Sequence, residues 1–275
     1  MEEGKAMAEY LSREQWRHFD EEGYVGLGET LGGEELGAVR RRIDDIMLGR
    51  ADLDYGRTMM QLDGRVGESG KMHPQSKGHK GATLSYRKIQ DLEFDPLFLS
   101  YMQRPLFRHI CARVYGPDTP VSCMRAMFMN KPAGKGTHLP WHQDHWTFLN
   151  HAPLVTVWTA LDPASARNGC LEVIPRSHLA IVNPEVSGGF ITEEQARTAT
   201  AETAPLFLEL QAGEAVLLHN HLLHRSATNA TGAPRRAFSV CYTRGATRTR
   251  DGDTFPTIFG PGALSPRHVR SRSCA

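Results

Sequence analysis

The chain lacks an excess of either charge: 32 Lys and Arg stand against 31 Asp and Glu, a formal net charge of +1. A field that draws a protein to a phosphate backbone or an anionic bilayer is missing, so neither nucleic acid nor membrane is expected as a partner. Long apolar runs are also missing. Nothing approaches the roughly 18 apolar residues of a membrane span, and Met1 to Tyr10 is acidic, without the apolar stretch of a secretory leader. Cysteine is scarce and unpatterned. Cys111, Cys123, Cys170, Cys241 and Cys274 are odd in number and form no C-x-x-C pair, which argues against a disulfide framework and for reduced thiols in a cytoplasmic protein. Internal repeats and low-complexity segments are absent as well. What is present is ordinary: 40% hydrophobic and 23% charged residues, the composition of a globular protein with enough apolar material for a core. We expect one domain over 1–275 with a small-molecule partner, as monomer or homodimer.

The first part of the chain carries helical signals. Ser12 followed by Gln15 has capping-box spacing, Trp16 and Phe19 lie one turn apart, and Gly23 stops the helix before the short extended run Tyr24 to Leu27. From Gly33 the apolar residues Leu36, Val39, Ile43, Ile46 and Met47 mark an amphipathic helix whose Arg40-Arg41-Arg42 run is expected to face mainly solvent. Pro96 to Tyr115 reads as helix interrupted at Pro105, where a backbone donor is lost. After Gly116 the texture changes to short runs separated by turn residues: Val121 to Asn130, His142 to Phe148, Leu154 to Ala160, Cys170 to Ile174, Leu206 to Leu210, Glu214 to Leu218 and Arg235 to Tyr242. Helices first and seven or eight short strands after predict a mainly β fold with flanking helices. The expected form is a double-stranded β-helix, or cupin-like jelly roll, with an N-terminal helical layer. Helical support falls mainly in 1–116, the β-helix core in about 117–245, and an arginine-rich tail or lid in 246–275. Asp63 to Gly81 reads as a long loop, a candidate lid.

The chemistry sits in a few polar residues. In His142-Gln143-Asp144 an imidazole and a carboxylate lie two apart, so a strand would present both on one face. One metal ion can take the pair. Far downstream, Gly213 to Leu218 ends in a histidine-rich bend, and His224-Arg-Ser226-Ala-Thr-Asn229 follows. His142, Asp144 and His224 would make a two-His, one-carboxylate facial triad, the arrangement that leaves iron(II) three adjacent open positions for an oxoacid and dioxygen. His219 and His221 are rivals for the third ligand, while His138 and His145 read as pocket lining or surface, and His178 as locally hydrogen-bonded. Eleven residues after His224, Arg235 opens the last clear strand. A hairpin would set the two on neighbouring strands facing one interior, where a guanidinium fork could grip a carboxylate. Its neighbour Arg236 must face the other way, since adjacent strand side chains point to opposite faces.

These strings, taken together, carry a resemblance. Lys88-Ile-Gln-Asp91, Met127-Phe-Met-Asn130-Lys131-Pro132, His142-Gln143-Asp144, Trp158-Thr-Ala, Asn168-Gly169 through Ser177-His178, His224-x-Ser226-x-x-Asn229 and Arg235 occur in an order that resembles the phytanoyl-CoA dioxygenase family of iron(II)/2-oxoglutarate oxygenases, over about Lys88 to Tyr242. The resemblance implies iron held by His142, Asp144 and His224. It also implies that the distal carboxylate of 2-oxoglutarate is held by Arg235 beside Ser226, with Lys88, Met127, Gln143 and Trp158 lining the co-substrate side. Asn168-Gly169 reads as a tight structural turn. The reaction implied consumes dioxygen and 2-oxoglutarate, releases succinate and carbon dioxide, and oxidises a C–H bond of a small metabolite, in secondary metabolism on our reading. Asp144 at the carboxylate position argues for hydroxylation, desaturation, epoxidation or cyclisation over halogenation. A non-redox cupin-like isomerase or hydrolase, or a non-catalytic ligand-binding member, are the alternatives. The regions that choose a substrate, Asp63 to Gly81, Ile181 to Thr200 and the chain beyond Thr243, carry no readable code.

Overall fold

The computed structural model describes residues 10–64, 73–134 and 136–272. The acidic first nine residues, the middle of the Asp63–Gly81 loop and Cys274 lie outside them. The opening helix α1 (Arg13–Glu22) has the capping box expected at Ser12 and Gln15, and it closes on Gly23 at φ 83°. Strand β1 (Tyr24–Glu29) and helix α2 (Gly33–Met47) follow, with Leu36, Val39, Ile43, Ile46 and Met47 buried along one stripe of the helix. Its arginines depart from expectation. Arg40 pairs with Asp162 at 3.4 Å and Arg42 with Asp95 at 2.7 Å, so two of the three tie α2 to the body while Arg41 stays exposed. The short strands β2 (Met59–Leu62), β3 (Ser76–Lys77) and β4 (Tyr86–Ile89) precede helices α3 (Pro96–Met102) and α4 (Pro105–Tyr115), which are separated at Pro105 as the lost donor requires.

The strands behind them are β5 (Val121–Lys131), β6 (Leu139–His142), β7 (Val155–Ala160) and β8 (Leu171–Val173), then helix α5 (Glu193–Glu202). After it come β9 (Leu206–Leu208), β10 (Glu214–His219), β11 (His224–Ser226), β12 (Arg235–Arg244), β13 (Thr257–Phe259) and helix α6 (Pro266–Arg272). Among the described residues they form two antiparallel sheets. The larger runs β1-β10-β7-β12-β5-β4-β2-β3, with β13 added on β5; the smaller runs β6-β11-β8-β9. The mainly β, jelly-roll expectation is met, with helices α1 to α4 on one face of the larger sheet.

Alternation explains the layering. On β12, Phe238, Val240 and Tyr242 join the core shared with the helices, alongside Val155 and Val157 of β7 and Leu217 of β10. The opposite parity, Ala237, Trp158 and Val216, faces the smaller sheet and packs on Leu171 and Val173. Hydrophobic burial on both faces makes the larger sheet the middle layer, and the space between the sheets is where polar side chains gather.

Several boundaries differ from the sequence reading. Strand β6 ends at His142, and the expected strand onward to Phe148 is loop and turn, because the backbone N–H groups of Gln143 and Asp144 donate to Gly189 and Asn220 outside any ladder. Within the expected loop Ile181 to Thr200, helix α5 begins on a capping box at Thr192 and Gln195. The stretch after residue 245 is more than a tail: β13 pairs with β5, and the Gln103 amide donates to the Ile258 and Leu264 carbonyls.

Candidate active site

The two histidines of the proposed triad meet directly. His224 on β11 pairs in register with His142 on β6, and their ring centroids lie 4.1 Å apart. Each imidazole engages a backbone carbonyl through Nδ1: His142 with Pro140 and His224 with Leu222, both at 2.9 Å. A carbonyl can only accept, so Nδ1 carries the proton and Nε2 keeps its lone pair for a metal. Asp144 completes the group, and one ligating atom from each of the three residues lies within 4.8 Å of the others. Among the described residues this is the only cluster of that kind.

Asp144 reaches the site by a route the i, i+2 spacing did not describe. It stands in the loop after β6, where its N–H donates to the Asn220 carbonyl at 2.7 Å. Asn220 is itself buried: its amide donates to the Pro153 carbonyl at 3.0 Å and its Oδ1 accepts from Thr156 at 2.8 Å. The residue between the rival histidines, not either rival, therefore serves the triad. His219 and His221 turn elsewhere, into a chain of rings with His178 at 5.0 Å and 5.1 Å spacings. His178 bonds not locally but to the Asp20 carbonyl of α1, at 3.2 Å.

Protonation states suit a metal. Burial, then His224, pushes the His142 imidazole down to about 3, so it is neutral at pH 7. Burial alone would raise the Asp144 carboxyl, but Arg125, His224, His142 and Lys88 outweigh it and hold it below the usual carboxylate range. Arg125 was not picked out by sequence reading. It lies on β5 with Nη2 3.3 Å from Asp144 and its guanidinium 5.2 Å from the centre of the Trp146 ring.

A cavity of about 180 Å³ opens beside the triad, lined among others by Lys88, Met127, Trp158, Ser226 and Arg235. Four of the expected co-substrate residues and the expected clamp thus share one space. Gln143 does not. It is fully buried on the opposite side, its amide nitrogen aimed at the Ser177, Ala180 and His221 carbonyls and its Oε1 accepting from Val182. Past the end of β6 the loop backbone turns it away from the triad, and it staples loops. Close packing continues there: Gly189, at φ 58°, has space for no side chain, since a Cβ would stand 2.1 Å from the Gln143 carbonyl oxygen. Gly169 is confined likewise by the Ala227 carbonyl, in keeping with a structural turn.

Arg235 and Arg236 separate as alternation requires, though not on strands of the same sheet as His224. Arg235 on β12 is 4% exposed, faces the cavity, and holds a buried Nε with no hydrogen-bond partner. The Trp158 Nε1 is unpartnered too. Arg236 turns outward and is spent on Asp162 and Asp44, each at 2.8 Å. His224 belongs to the smaller sheet and Arg235 to the larger, so they face one another across the cavity. Buried donors without acceptors are uncommon and mark a place where an anion fits. The lysine of β4, Lys88, also lines this space, and burial, then Arg87 and Arg125, pushes it down to about 7, so its charge is only partly present near neutral pH.

Comparison with known proteins agrees with this geometry. The profile of the Phytanoyl-CoA dioxygenase (PhyH) family matches residues 19–237. A probable phytanoyl-CoA dioxygenase of Caenorhabditis elegans is 28% identical over 87% of this chain and 79% of its own. The human peroxisomal phytanoyl-CoA dioxygenase is 26% identical over 83% and 67%. In fold, the chain is similar to the non-heme alpha-ketoglutarate-dependent carbocyclase SnoK of nogalamycin biosynthesis, at TM-score 0.67 and 19% identity over 91% of this chain and 90% of that one. It is also similar to EctD from S. alaskensis with bound Fe, at TM-score 0.60 and 20% identity over 87% and 79%. With the profile covering most of its length, the chain belongs to the phytanoyl-CoA dioxygenase family of iron(II)- and 2-oxoglutarate-dependent oxygenases.

Proposed function

We propose that this protein hydroxylates, or otherwise oxidises, a C–H bond of a small metabolite, with His142, Asp144 and His224 holding iron(II) and Arg235 holding the distal carboxylate of 2-oxoglutarate. The observation that carries the reading is the pairing of a convergent His-Asp-His group with a buried, unpartnered arginine in the same cavity. The iron centre, when loaded, supplies oxidative decarboxylation of 2-oxoglutarate by dioxygen to succinate and carbon dioxide and the oxidising power for the C–H bond.

The protein's own residues bind, orient and exclude water. Backbone carbonyls of Pro140 and Leu222 fix the two imidazole tautomers, so the metal-facing nitrogens are ready without rotation. Arg235 selects a dicarboxylate, since a monoacid would leave its guanidinium unpaired in a buried site. Trp158, 5.5 Å beneath that guanidinium, walls the pocket, and Ser226 adds a buried hydroxyl beside it. Phe190 stacks on His142 at 5.1 Å and shields one face of the ring. A metabolite of secondary metabolism is our preferred substrate, supported by the likeness to SnoK, and the buried free thiols Cys111, Cys123, Cys170 and Cys241 favour a reducing compartment.

The test is succinate release by purified protein supplied with Fe(II), 2-oxoglutarate and oxygen while candidate metabolites are screened. Release should depend on iron and be lost in His142→Ala and His224→Ala, whereas His221→Ala should retain much of it. Undiminished turnover in His224→Ala would mean the ligand assignment is wrong.

A further inference from the structure

We propose that Arg125 anchors an anionic group of the substrate, a carboxylate, at the end of the cavity opposite Arg235. The inference rests on the oxygenase reading above and names the substrate class that this site takes.

The first argument is charge. The cavity is lined by the cations Lys88, Arg125 and Arg235 and by one carboxylate, Asp144. A metal dication and the 2-oxoglutarate dianion cancel each other, and Arg235 with Asp144 cancel again. Burial already pushes Lys88 toward its neutral form, so Arg125, which is only partly exposed, is the cation left unbalanced. Uncompensated buried charge is costly, so a binding partner that supplies negative charge is favoured.

The second argument is position. On the paired strands β5 and β12, Arg125 stands opposite Cys241 while Arg235 stands opposite Lys131. Six residues of strand separate the two arginines, roughly 20 Å at about 3.4 Å per residue. The triad's Asp144 lies at the Arg125 end, 3.3 Å from its guanidinium. A co-substrate spanning from Arg235 to the metal therefore leaves the Arg125 end free.

The third is how the side chain is aimed. Val121 and Cys123 of β5 face the core under the helices, whereas Arg125, Met127 and Met129 face the cavity. Strict alternation would keep residues 121, 123 and 125 on one face. The register slips between Cys241 and Tyr242 of β12, so that Met124 is an extra residue, and this bulge turns Arg125 into the cavity. Once there it is under-used. Its Nε is buried without a hydrogen-bond partner, and Nη2 reaches the Asp144 oxygens only at 3.3 and 3.5 Å, beyond a strong charge-assisted bond. The Trp146 ring supports the guanidinium plane and leaves its edge available for an oxyanion.

The experiment uses calorimetric titration of full-length protein loaded with Mn(II) and saturating 2-oxoglutarate, which removes turnover from the readout. The probes are matched pairs of one shape and two charges: 3-phenylpropionate with 3-phenylpropionamide, and cyclohexylacetate with cyclohexylacetamide. In the native protein at least one acid should bind about tenfold or more tightly than its amide, as a desolvated guanidinium–carboxylate pair requires. Arg125→Gln should erase that preference, Arg125→Lys should retain part of it, and Mn(II) affinity measured separately should change by less than about threefold, the reach of an exposed or long ion pair. Equal binding of acid and amide, or no binding of either pair, would overturn the proposal. So would loss of Mn(II) affinity in Arg125→Gln in step with loss of acid binding, which would make Arg125 a positioning residue for Asp144. Failure of 2-oxoglutarate itself to bind the Mn(II)-loaded protein would instead count against the oxygenase reading, and the acid–amide difference would still be measurable on the Mn(II) form.

Discussion

The adjacent arginines Arg235 and Arg236 show how far one residue's orientation decides its role. Arg235→Ala should leave a buried carboxylate without its partner, a loss of roughly 2–5 kcal/mol, and 2-oxoglutarate affinity measured by titration should fall more than tenfold. Arg235→Lys should also bind worse, because a point charge cannot reproduce the guanidinium fork. Arg236→Ala should do the reverse: co-substrate affinity is kept while stability drops by about 2–4 kcal/mol, since Asp162 loses a partially buried bidentate partner. A large affinity effect at Arg236 would refute the assignment. His219 offers a pH prediction at the same scale. Burial, then His221 and His178, pushes its imidazole down to about 3, whereas the unfolded chain protonates near the ordinary value. A folded-state pKa below the unfolded one means stability is fully present above about pH 6.5 and declines as pH falls toward 3. Replacement by Gln removes that titration, so thermal midpoints of His219→Gln should fall less steeply from pH 7 to pH 5 than those of the native protein.

At the scale of elements, the loop after β6 matters more than the strand. Asp144 is held by a backbone hydrogen bond from its N–H to the Asn220 carbonyl, and Asn220 by Thr156 and Pro153, so a β7 residue and a bend before β11 jointly place the carboxylate of the proposed triad. Asn220→Ala should keep the fold but weaken Mn(II) binding by about tenfold, the lower range for loss of a group that supports a metal ligand; unchanged affinity in a direct titration would show that the loop holds without it. Gly189→Ala should be more damaging than its size suggests, because the added methyl meets the Gln143 carbonyl in a left-handed backbone conformation. Helix α5 was readable and missed: Thr192-x-x-Gln195 is a capping box, yet the helix buries no residue, so no apolar stripe advertised it. Arg125 was missed for a different reason. A bulge has no sequence signature of its own, and alternation counted from Val121 would have placed Arg125 in the wrong layer.

For the molecule as a whole, the triad joins β6 and β11 of the smaller sheet to a loop braced by the larger one, so a bound metal should clamp both sheets. Binding only to the folded state at about a hundredfold over its dissociation constant contributes roughly 2.7 kcal/mol. Addition of Mn(II) should raise the thermal midpoint of native protein, a chelator should reverse the shift, and Asp144→Ala should show little of it. An equal rise in Asp144→Ala would place the stabilising metal elsewhere.

The ordered motifs of the family resemblance grouped His142, Asp144 and His224; short-range chemistry in the chain was sufficient for the helix caps, the order of helices before strands, and the opposite facing of Arg235 and Arg236. Each follows from periodicity or from motifs a few residues long, which act through local geometry. The tertiary structure alone decided that His224 and Arg235 lie on opposing sheets, that Gln143 staples loops instead of lining the cavity, that Asn220 steadies Asp144, and that Arg125 enters the site. Those outcomes depend on backbone hydrogen bonds between segments far apart in sequence and on a single extra residue in one strand. Neither alters the pattern of apolar and polar side chains by which a sequence is read.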